Sequence, residues 1–122
     1  MIHWPAVKPF DWSEIPAEPL NDKLVRQTIH TDRLTVARLQ MKAGCAVPAH
    51  RHENEQVSMV LSGRLRFLLG DGAVDVGPGQ VMRLAPNQLH AVEVLEDSIV
   101  LDLFSPPRED WIRGEDAYLR RS

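Results

Sequence analysis

The stretch GCAVPAHRHENEQVSMVLSG, residues 44–63, decides both the fold class and the chemistry of this chain. It places His50 and His52 two positions apart, just before a run in which apolar and polar residues partly alternate. Residues i and i+2 of an extended strand project from the same face, so both imidazoles and Gln56 are expected on one side. Imidazole is the commonest protein ligand for transition metals, so this stretch predicts part of a metal site on a β-strand.

Short apolar and β-branched segments continue on both sides of this stretch, separated by glycine, proline and polar turns. We predict strands within residues 24–29, 34–39, 56–61, 64–69, 73–76, 81–84, 90–95 and 98–104. Ser62-Gly63 is predicted to be a tight turn between two of them. Many short strands with almost no helical periodicity indicate an all-β sandwich or barrel. The segments 57–61 and 99–104 are apolar at successive positions, which predicts that one outer sheet face is also covered.

The two ends of the chain differ from this pattern. Four prolines in the first twenty residues predict an extended, non-helical N-terminal arm over residues 1–22, followed by one domain over residues 23–122. Trp4, Phe10 and Trp12 in this arm are expected to pack on the domain or on a partner chain. After Pro106-Pro107 a short C-terminal helix is predicted, with Ser105 as its N-cap.

Length and charge exclude several classes of protein. The chain has 122 residues, a net charge of −3 and one cysteine, Cys45. There is no basic excess for nucleic acid, no pair of cysteines for an internal disulfide and no apolar run long enough to span a bilayer. The N-terminus lacks the charged and apolar regions of a signal peptide. We therefore expect a cytoplasmic protein that binds neither nucleic acid nor a membrane.

A third imidazole completes a candidate metal site. His90 follows the turn Pro86-Asn87-Gln88, far along the chain from His50 and His52. Three imidazoles and one oxygen donor form a chelating set for a divalent metal ion, and the predicted ligands are His50, His52, Gln56 and His90. Strand parity directs Glu53 and Glu55 away from the histidines, although a bulge would bring either one into the fourth position.

A second candidate cluster lies near the end of the last predicted strand. Asp102 is a carboxylate within an apolar run, and burial of an unpaired carboxylate is costly, so it should have a partner or a function. Phe104 shares its face, and Arg108 follows the stiff Ser-Pro-Pro segment, where its guanidinium could hold a carboxylate. In the alternative interpretation Asp102 lies on an outer face beside an arginine, and Arg108 pairs with Asp110.

The spacing of the histidine motif resembles that of the cupin superfamily. The first cupin motif is matched by Gly44-x5-His50-x-His52-x3-Gln56-x6-Gly63, with Gln in place of the usual Glu. The second is matched by Gly79, Pro86 and His90, with Val94 in place of the usual Asn. The resemblance implies a small cupin-type β-barrel, also called a double-stranded β-helix or jelly roll, with a divalent metal ion inside.

The C-terminal part resembles one group of cupins, the pectin-degradation proteins of the KdgF type. The run from Asp102 through Phe104, Ser-Pro-Pro and Arg108 to Trp111 carries the resemblance, together with the Leu-Ser-Gly-x-Leu-x-Phe run at residues 61–67. It implies a metal-dependent enzyme of isomerase type that converts 4,5-unsaturated uronate monomers to the linear 4-deoxy-5-keto-uronate. Asp102 would then transfer protons, Arg108 would hold the carboxylate and Phe104 would pack on the ring. Ni or Zn is favoured as the metal, while Fe, Mn and Co are compatible.

The same residues fit other functions of the cupin superfamily. A cupin with this site could be a metal-dependent dioxygenase, an isomerase or epimerase of other sugars, or a non-catalytic protein that binds a sugar acid. In each case the predicted ligand is a small sugar acid. A homodimer is also predicted, because the aromatic residues of the N-terminal arm need a surface to pack on.

Overall fold

The computed structural model describes residues 8–120, and β-strands form most of that range. Trp4 lies outside the described residues, so the packing predicted for it is untested. The strands of the described part, in chain order, are β1 (Glu18–Asn21), β2 (Leu24–His30), β3 (Thr35–Met41), β4 (Ala46–His50), β5 (Glu55–Leu69), β6 (Gly72–Val76), β7 (Val81–Leu84) and β8 (His90–Ser105). All of their pairings are antiparallel. The predicted all-β class is confirmed.

Two long strands, β5 and β8, organise the barrel. They pair with each other from Glu55↔Ser105 to Leu68↔Ala91, with register shifts near the middle. The first half of β5 also pairs with β7, and its second half pairs with β6. The first half of β8 pairs with β4, and its second half pairs with β3, which continues to β2 and β1. Each long strand therefore contributes to both layers of a jelly roll.

The bend that divides β5 depends on Gly63. Its φ of +89° is in the left-handed region, and a Cβ at this position would overlap Ser98 and the carbonyl of Asp97. Ser98 stabilises the irregular pairing, because its hydroxyl accepts the amide of Arg64 and donates to the carbonyl of Glu96. The close approach of the two strands at this point excludes any side chain at position 63.

Three predictions of local structure are wrong. Ser62-Gly63 does not form a tight turn, because the glycine bends one continuous 15-residue strand instead. The predicted strands 90–95 and 98–104 are likewise a single strand, β8. Ser105 does not cap the C-terminal helix, because it ends β8 and its hydroxyl donates to the carbonyl of Arg33.

The short C-terminal helix itself is confirmed. It is α1, Glu109–Ile112, a single turn in which Trp111 is buried. A 3-10 turn, Ala117–Leu119, follows it. Within residues 8–120, no helix is long and apolar enough to cross a membrane.

The segment predicted as an arm lies against the barrel where the structure describes it. The side-chain amide of Gln27 donates to the carbonyls of Trp12 and Ile15. Trp12 is half-buried within a 3-10 turn, Trp12–Glu14, although the prolines predict only extended backbone here. Residues 18–21 form β1 and pair with β2, so this part of the segment belongs to the sheet.

The interior of the barrel contains an apolar core and a polar end. Every strand contributes buried apolar residues, and the long strands and β3 supply many of them, among them Leu39, Phe67, Val94 and Val100. Some outward positions of β5 and β8, such as Met59 and Leu101, are half-buried, whereas Leu61 is exposed. Because buried inward residues alternate with apolar outward residues, these strands are apolar at successive positions.

A buried ion pair joins the C-terminal segment to β2. Arg26 donates to Asp116 (2.8 Å), and both side chains are almost inaccessible to solvent. Arg120 also donates to this carboxylate. Burial raises the pKa of Asp116, but the hydrogen bonds from Arg120 and Arg26 outweigh burial and hold the pKa below its usual value. The ionised carboxylate is therefore the form that stabilises the fold.

We expect Asp116→Asn to lower the free energy of unfolding by about 2 kcal/mol at pH 7, less than the loss of a whole buried pair, because the Arg26 guanidinium then keeps only the more exposed Glu18, 3.5 Å away, as its counter-charge. Because the folded-state pKa of Asp116 is lowered, its carboxylate contributes fully to the free energy of unfolding above pH ~4. This contribution is lost as the pH falls through the folded-state pKa. The difference between the two proteins should therefore shrink below pH ~4, as measured by urea unfolding at several pH values.

The control is Asp75→Asn, which removes an exposed carboxylate from its pair with Arg66 and should leave stability nearly unchanged. If the free energies of unfolding of wild type and Asp116→Asn differ by the same amount at pH 3 and pH 7, the stabilising role assigned to the ionised Asp116 is contradicted.

Candidate metal centre

Three histidines converge at one end of the barrel. His50 ends β4 and His90 begins β8, and the two are direct partners in the β4–β8 pairing. His52 lies in the loop after β4, and its carbonyl accepts the amide of Asn87 (2.7 Å) in the turn before His90. Asn87 adopts a φ of +62°, which asparagine tolerates better than most residues. One ligand atom from each imidazole lies within 4.8 Å of the others.

Each imidazole is oriented by a backbone carbonyl two residues away. Nδ1 lies 2.8 Å from the carbonyl of Pro48 in His50, 3.1 Å from that of Asn54 in His52 and 2.8 Å from that of Gln88 in His90. A carbonyl oxygen only accepts, so each Nδ1 must carry the proton and donate it. In the neutral ring this leaves Nε2 with a free lone pair, which is the state that binds a metal ion.

The surroundings keep the three rings neutral. Burial lowers the pKa of His50 to about 4, with smaller contributions from His90 and Arg108. Burial also lowers the pKa of His52 to about 4, again with Arg108 and His90 acting in the same direction. The pKa of His90 is lowered by burial and by Arg108. At neutral pH the imidazoles therefore have unprotonated Nε2 atoms that do not have to lose protons before they bind a cation.

Gln56 supplies an oxygen to the same site. Its side-chain Nε2 lies 3.0 Å from the hydroxyl of Ser58 and 3.4 Å from a carboxyl oxygen of Asp102, so the amide nitrogen faces these acceptors. Its Oε1 then faces Nε2 of His52 at 3.0 Å. Both atoms have lone pairs and neither carries a proton, so the contact is unfavourable unless a cation lies between them. The donor set of three imidazoles and one amide oxygen fits a divalent metal ion.

The neighbouring glutamates are not part of this site. The carboxylate of Glu55 binds Arg83 (2.7 Å) at the surface, and Glu53 is exposed. The four predicted ligands His50, His52, Gln56 and His90 are therefore brought together, although residues 51–54 are not in a strand. Convergence depends on the loop as well as on strand parity.

Asp102 faces the barrel interior, so the interpretation that it lies on an outer face is wrong. It is 8% exposed, and its strand partner in β5 is Ser58. Burial raises the pKa of Asp102 to about 6, although a hydrogen bond from Ser58 and the charge of Arg108 act against the shift. Its Oδ1 has no hydrogen-bond partner among the described residues. A buried carboxyl with a free oxygen and a pKa near neutrality can both accept and release a proton.

Phe104 and Arg108 extend this wall of the site. Phe104 is buried and its ring lies edge-on to His52 and to Trp111. Arg108 is also buried, with its guanidinium 4.7 Å from the Phe104 ring and 4.2 Å from the Trp111 ring. Its Nε and Nη2 donate to Asp110 (3.0 and 2.8 Å), so the predicted pairing with Asp110 is present as well. Nη1 makes no hydrogen bond within the described residues.

A partly open cavity joins these groups. Its volume of about 50 Å³ is enough for a metal ion and a few waters but not for a whole sugar ring. Its polar lining includes His50, Gln56, His90, Asp102 and Arg108. A larger ligand would have to occupy the mouth of the cavity or open it further.

Two residues of the site could not be identified from the sequence pattern. Tyr118 lines the cavity, and its ring lies 4.8 Å from that of His50. Asn54 orients His52 through its carbonyl, and its side-chain amide donates to the carbonyls of Pro106 and Pro107. Neither residue belongs to a recognisable spacing, because both positions depend on how the C-terminal segment folds back over β4.

Comparison with known proteins adds the family. The cupin domain family model matches residues 37–104, which is more than half of the chain. The chain belongs to the cupin family. It is 28% identical over 102 residues to the pectin degradation protein KdgF of Dickeya dadantii, a match that covers 81% of this chain and 93% of that protein. The predicted KdgF-type cupin is confirmed as a resemblance.

Solved structures agree with this assignment. The structure of KdgF from a Halomonas species is 27% identical and has a TM-score of 0.75, covering 81% of this chain and 94% of that one. An oxalate decarboxylase of Bacillus subtilis has a TM-score of 0.72 at 18% identity, covering 84% of this chain and 31% of that one. The similarity to oxalate decarboxylase is evidence for the fold alone. The cupin jelly roll predicted from the histidine motif is confirmed.

We expect the chain to bind about one Zn²⁺ or Ni²⁺, as measured by calorimetry and by metal analysis after gel filtration. His50→Ala should lose most of the bound metal, because it removes one of three strong nitrogen ligands. Gln56→Ala should retain metal more weakly, because a neutral amide oxygen is the weakest donor of the set.

His30→Ala is the matched control, because His30 hydrogen-bonds Thr35 and is not in the histidine cluster. Equal metal content in His30→Ala and His50→Ala would contradict the assignment of the site.

Proposed function

We propose that this cupin is a metal-dependent enzyme that promotes ring opening and ketonisation of 4,5-unsaturated uronate monomers. The product is the linear 4-deoxy-5-keto-uronate. The observation that carries the proposal is the buried carboxyl of Asp102, with a free oxygen, in the same cavity as the histidines. The similarity to pectin degradation proteins supports the choice of substrate.

The reaction moves protons without net oxidation. In ring opening the bond between the ring oxygen and the anomeric carbon breaks, the anomeric hydroxyl loses its proton to become an aldehyde, and the former ring oxygen gains a proton to become an enol. Ketonisation then adds a proton to the neighbouring carbon while the enol oxygen loses one. A single carboxyl group near the substrate can release its proton to carbon and then take one from oxygen. A pKa of about 6 for Asp102 means that both of its forms exist near neutral pH. Asp102 is therefore the residue that we assign to proton transfer.

Three neutral imidazoles and the Gln56 amide would hold the metal ion. When bound, a divalent ion, with Ni or Zn favoured, supplies a Lewis acid that polarises a substrate oxygen or lowers the pKa of a bound water. Gln56 connects this site to the proton-transfer group, because its amide nitrogen lies 3.4 Å from Asp102 while its oxygen faces His52. The connection orients both groups toward one ligand.

Arg108 and Phe104 would bind the substrate. The guanidinium of Arg108 lines the cavity, and its Nη1 is not used by Asp110, so it can donate to the uronate carboxylate. The ring of Phe104 covers the apolar side of the cavity and excludes water from it. Both positions agree with the roles that the resemblance implies.

The test is a time course with freshly generated unsaturated uronate and metal-loaded protein, followed by loss of its ultraviolet absorbance and by proton NMR. We expect conversion faster than the spontaneous rate, and loss of the acceleration on addition of a chelator. Asp102→Asn should lower the catalysed rate by about 10²–10⁴ while it retains metal. Ser105→Ala is the control, because Ser105 is exposed at the surface.

Two other outcomes would replace this proposal. Uronate binding without acceleration would favour a non-catalytic sugar-acid-binding cupin. Oxygen uptake with an iron-loaded protein, and no ketonisation, would favour a dioxygenase. Full turnover by Asp102→Asn would remove the proton-transfer role from this residue.

The homodimer stays a prediction. The described part of the N-terminal segment packs on its own barrel, which covers Trp12 in part. Apolar residues on the outer face, among them Leu61 and Val81, are exposed in the single chain and support a second covered surface.

A further inference from the structure

Tyr118 lines the cavity but has no part in the metal site, in proton transfer or in the binding of the substrate carboxylate as assigned above. It lies in the 3-10 turn Ala117–Leu119, which packs on β4. This contact places its ring 4.8 Å from His50, tilted by 36°. Tyr118 is thus held against a predicted metal ligand by the C-terminal segment.

The hydrogen bonds of the Tyr118 hydroxyl leave its own proton unused. Its oxygen accepts from Nη2 of Arg108 (2.8 Å) and from Nε1 of Trp111 (3.3 Å). Arginine and the indole of tryptophan can only donate, so both lone pairs of the hydroxyl are occupied. The O–H group therefore has to donate elsewhere, and no residue in the described part of the chain accepts it.

Tyr118 is half-buried in the wall of a partly open cavity, so the acceptor for this O–H comes from the cavity, as water in the ligand-free protein or as an oxygen of a ligand. The charge of Arg108 polarises the hydroxyl, and a donor that already accepts hydrogen bonds forms a stronger bond of its own. The neighbouring His50 presents its Nε2 to the metal site and its Nδ1 to Pro48, so its ring offers no acceptor to Tyr118. An oxygen atom of a bound ligand fits the requirement.

We propose that Tyr118 is a ligand-binding residue whose hydroxyl donates a hydrogen bond to an oxygen of the sugar acid. The identity of the ligand rests on the proposed function, whereas the direction of the hydrogen bond rests on the contacts with Arg108 and Trp111. A cavity that satisfies an oxygen in this way discriminates against a ligand that lacks it. Tyr118 would thereby contribute to specificity rather than to proton transfer.

Tyr118 is the only tyrosine of the 122 residues, which makes a direct test practical. Zn-loaded protein with ¹³Cζ-labelled tyrosine gives one NMR signal, and galacturonate serves as a stable uronate that does not ketonise. We expect saturation with galacturonate to move the signal downfield, because the phenol becomes a donor to the bound ligand. A signal that stays in place in the saturated protein would overturn the proposal.

The variant Tyr118→Phe retains the ring against His50 and removes only the hydroxyl. We expect it to weaken galacturonate binding about tenfold, to raise KM for the unsaturated uronate by a similar factor and to change kcat less than twofold. Metal content should be that of wild type. Thr28→Val, a hydroxyl deletion on β2 outside the cavity, should leave binding and KM unchanged.

The outcomes separate this inference from the proposed function. If the uronate is converted but Tyr118→Phe has a normal KM, the inference fails and the function stands. If galacturonate shifts the tyrosine signal but no conversion occurs, the function fails and the inference stands. If Tyr118→Phe binds more weakly although the tyrosine signal does not respond to ligand, Tyr118 only positions Arg108 and the inference fails. A protein that binds no uronate contradicts both.

Discussion

Three backbone carbonyls, those of Pro48, Asn54 and Gln88, determine what this barrel can bind. Each accepts Nδ1–H of the histidine two residues away, and each thereby fixes the tautomer and the orientation of that ring. Burial keeps the rings neutral. Since the three lone pairs are aimed before any ligand arrives, binding a cation costs little reorganisation.

The rest of the fold brings a proton-transfer group to the same place. Strands β5 and β8 pair so that Ser58 lies opposite Asp102 and Gln56 lies opposite Phe104. Gln56 joins the two halves of the site, because one end of its amide faces His52 and the other faces Asp102. The bend at Gly63 allows the same two strands to close the apolar core below the site.

The C-terminal segment completes the site in a way that also stabilises it. The Trp111 ring lies between two guanidinium groups, with Arg26 at 4.5 Å and Arg108 at 4.2 Å from its centre. Each arginine has its own carboxylate, Asp116 and Asp110 respectively, so the buried positive charges are compensated. Tyr118 is fixed by the same cluster, which explains how one short C-terminal segment can deliver several groups to the cavity.

Much of this arrangement was accessible from sequence, because its determinants are local. The shared face of Asp102 and Phe104 depends on strand geometry alone. The spacing of His50, His52 and Gln56 identified the ligands, although the loop at residues 51–54 also helps to bring them together. The bent continuity of β5 was not accessible, because Ser62-Gly63 has the same composition as a hairpin turn and only the contact with Ser98 distinguishes them. Tyr118 and Asn54 were missed for a similar reason, since their roles arise from contacts with segments distant in sequence.

The function of this barrel depends on three histidines that are neutral, protonated on Nδ1 and aimed through Nε2 at one cation. Two-dimensional ¹H–¹⁵N NMR of the histidine rings tests this arrangement most directly, in the metal-free protein at pH 7 and again after one equivalent of Zn²⁺. We expect Nδ1–H tautomers for His50, His52 and His90 before zinc is added and a shift of all three Nε2 signals afterwards. Charged rings, or Nε2–H tautomers that zinc leaves unchanged, would contradict it.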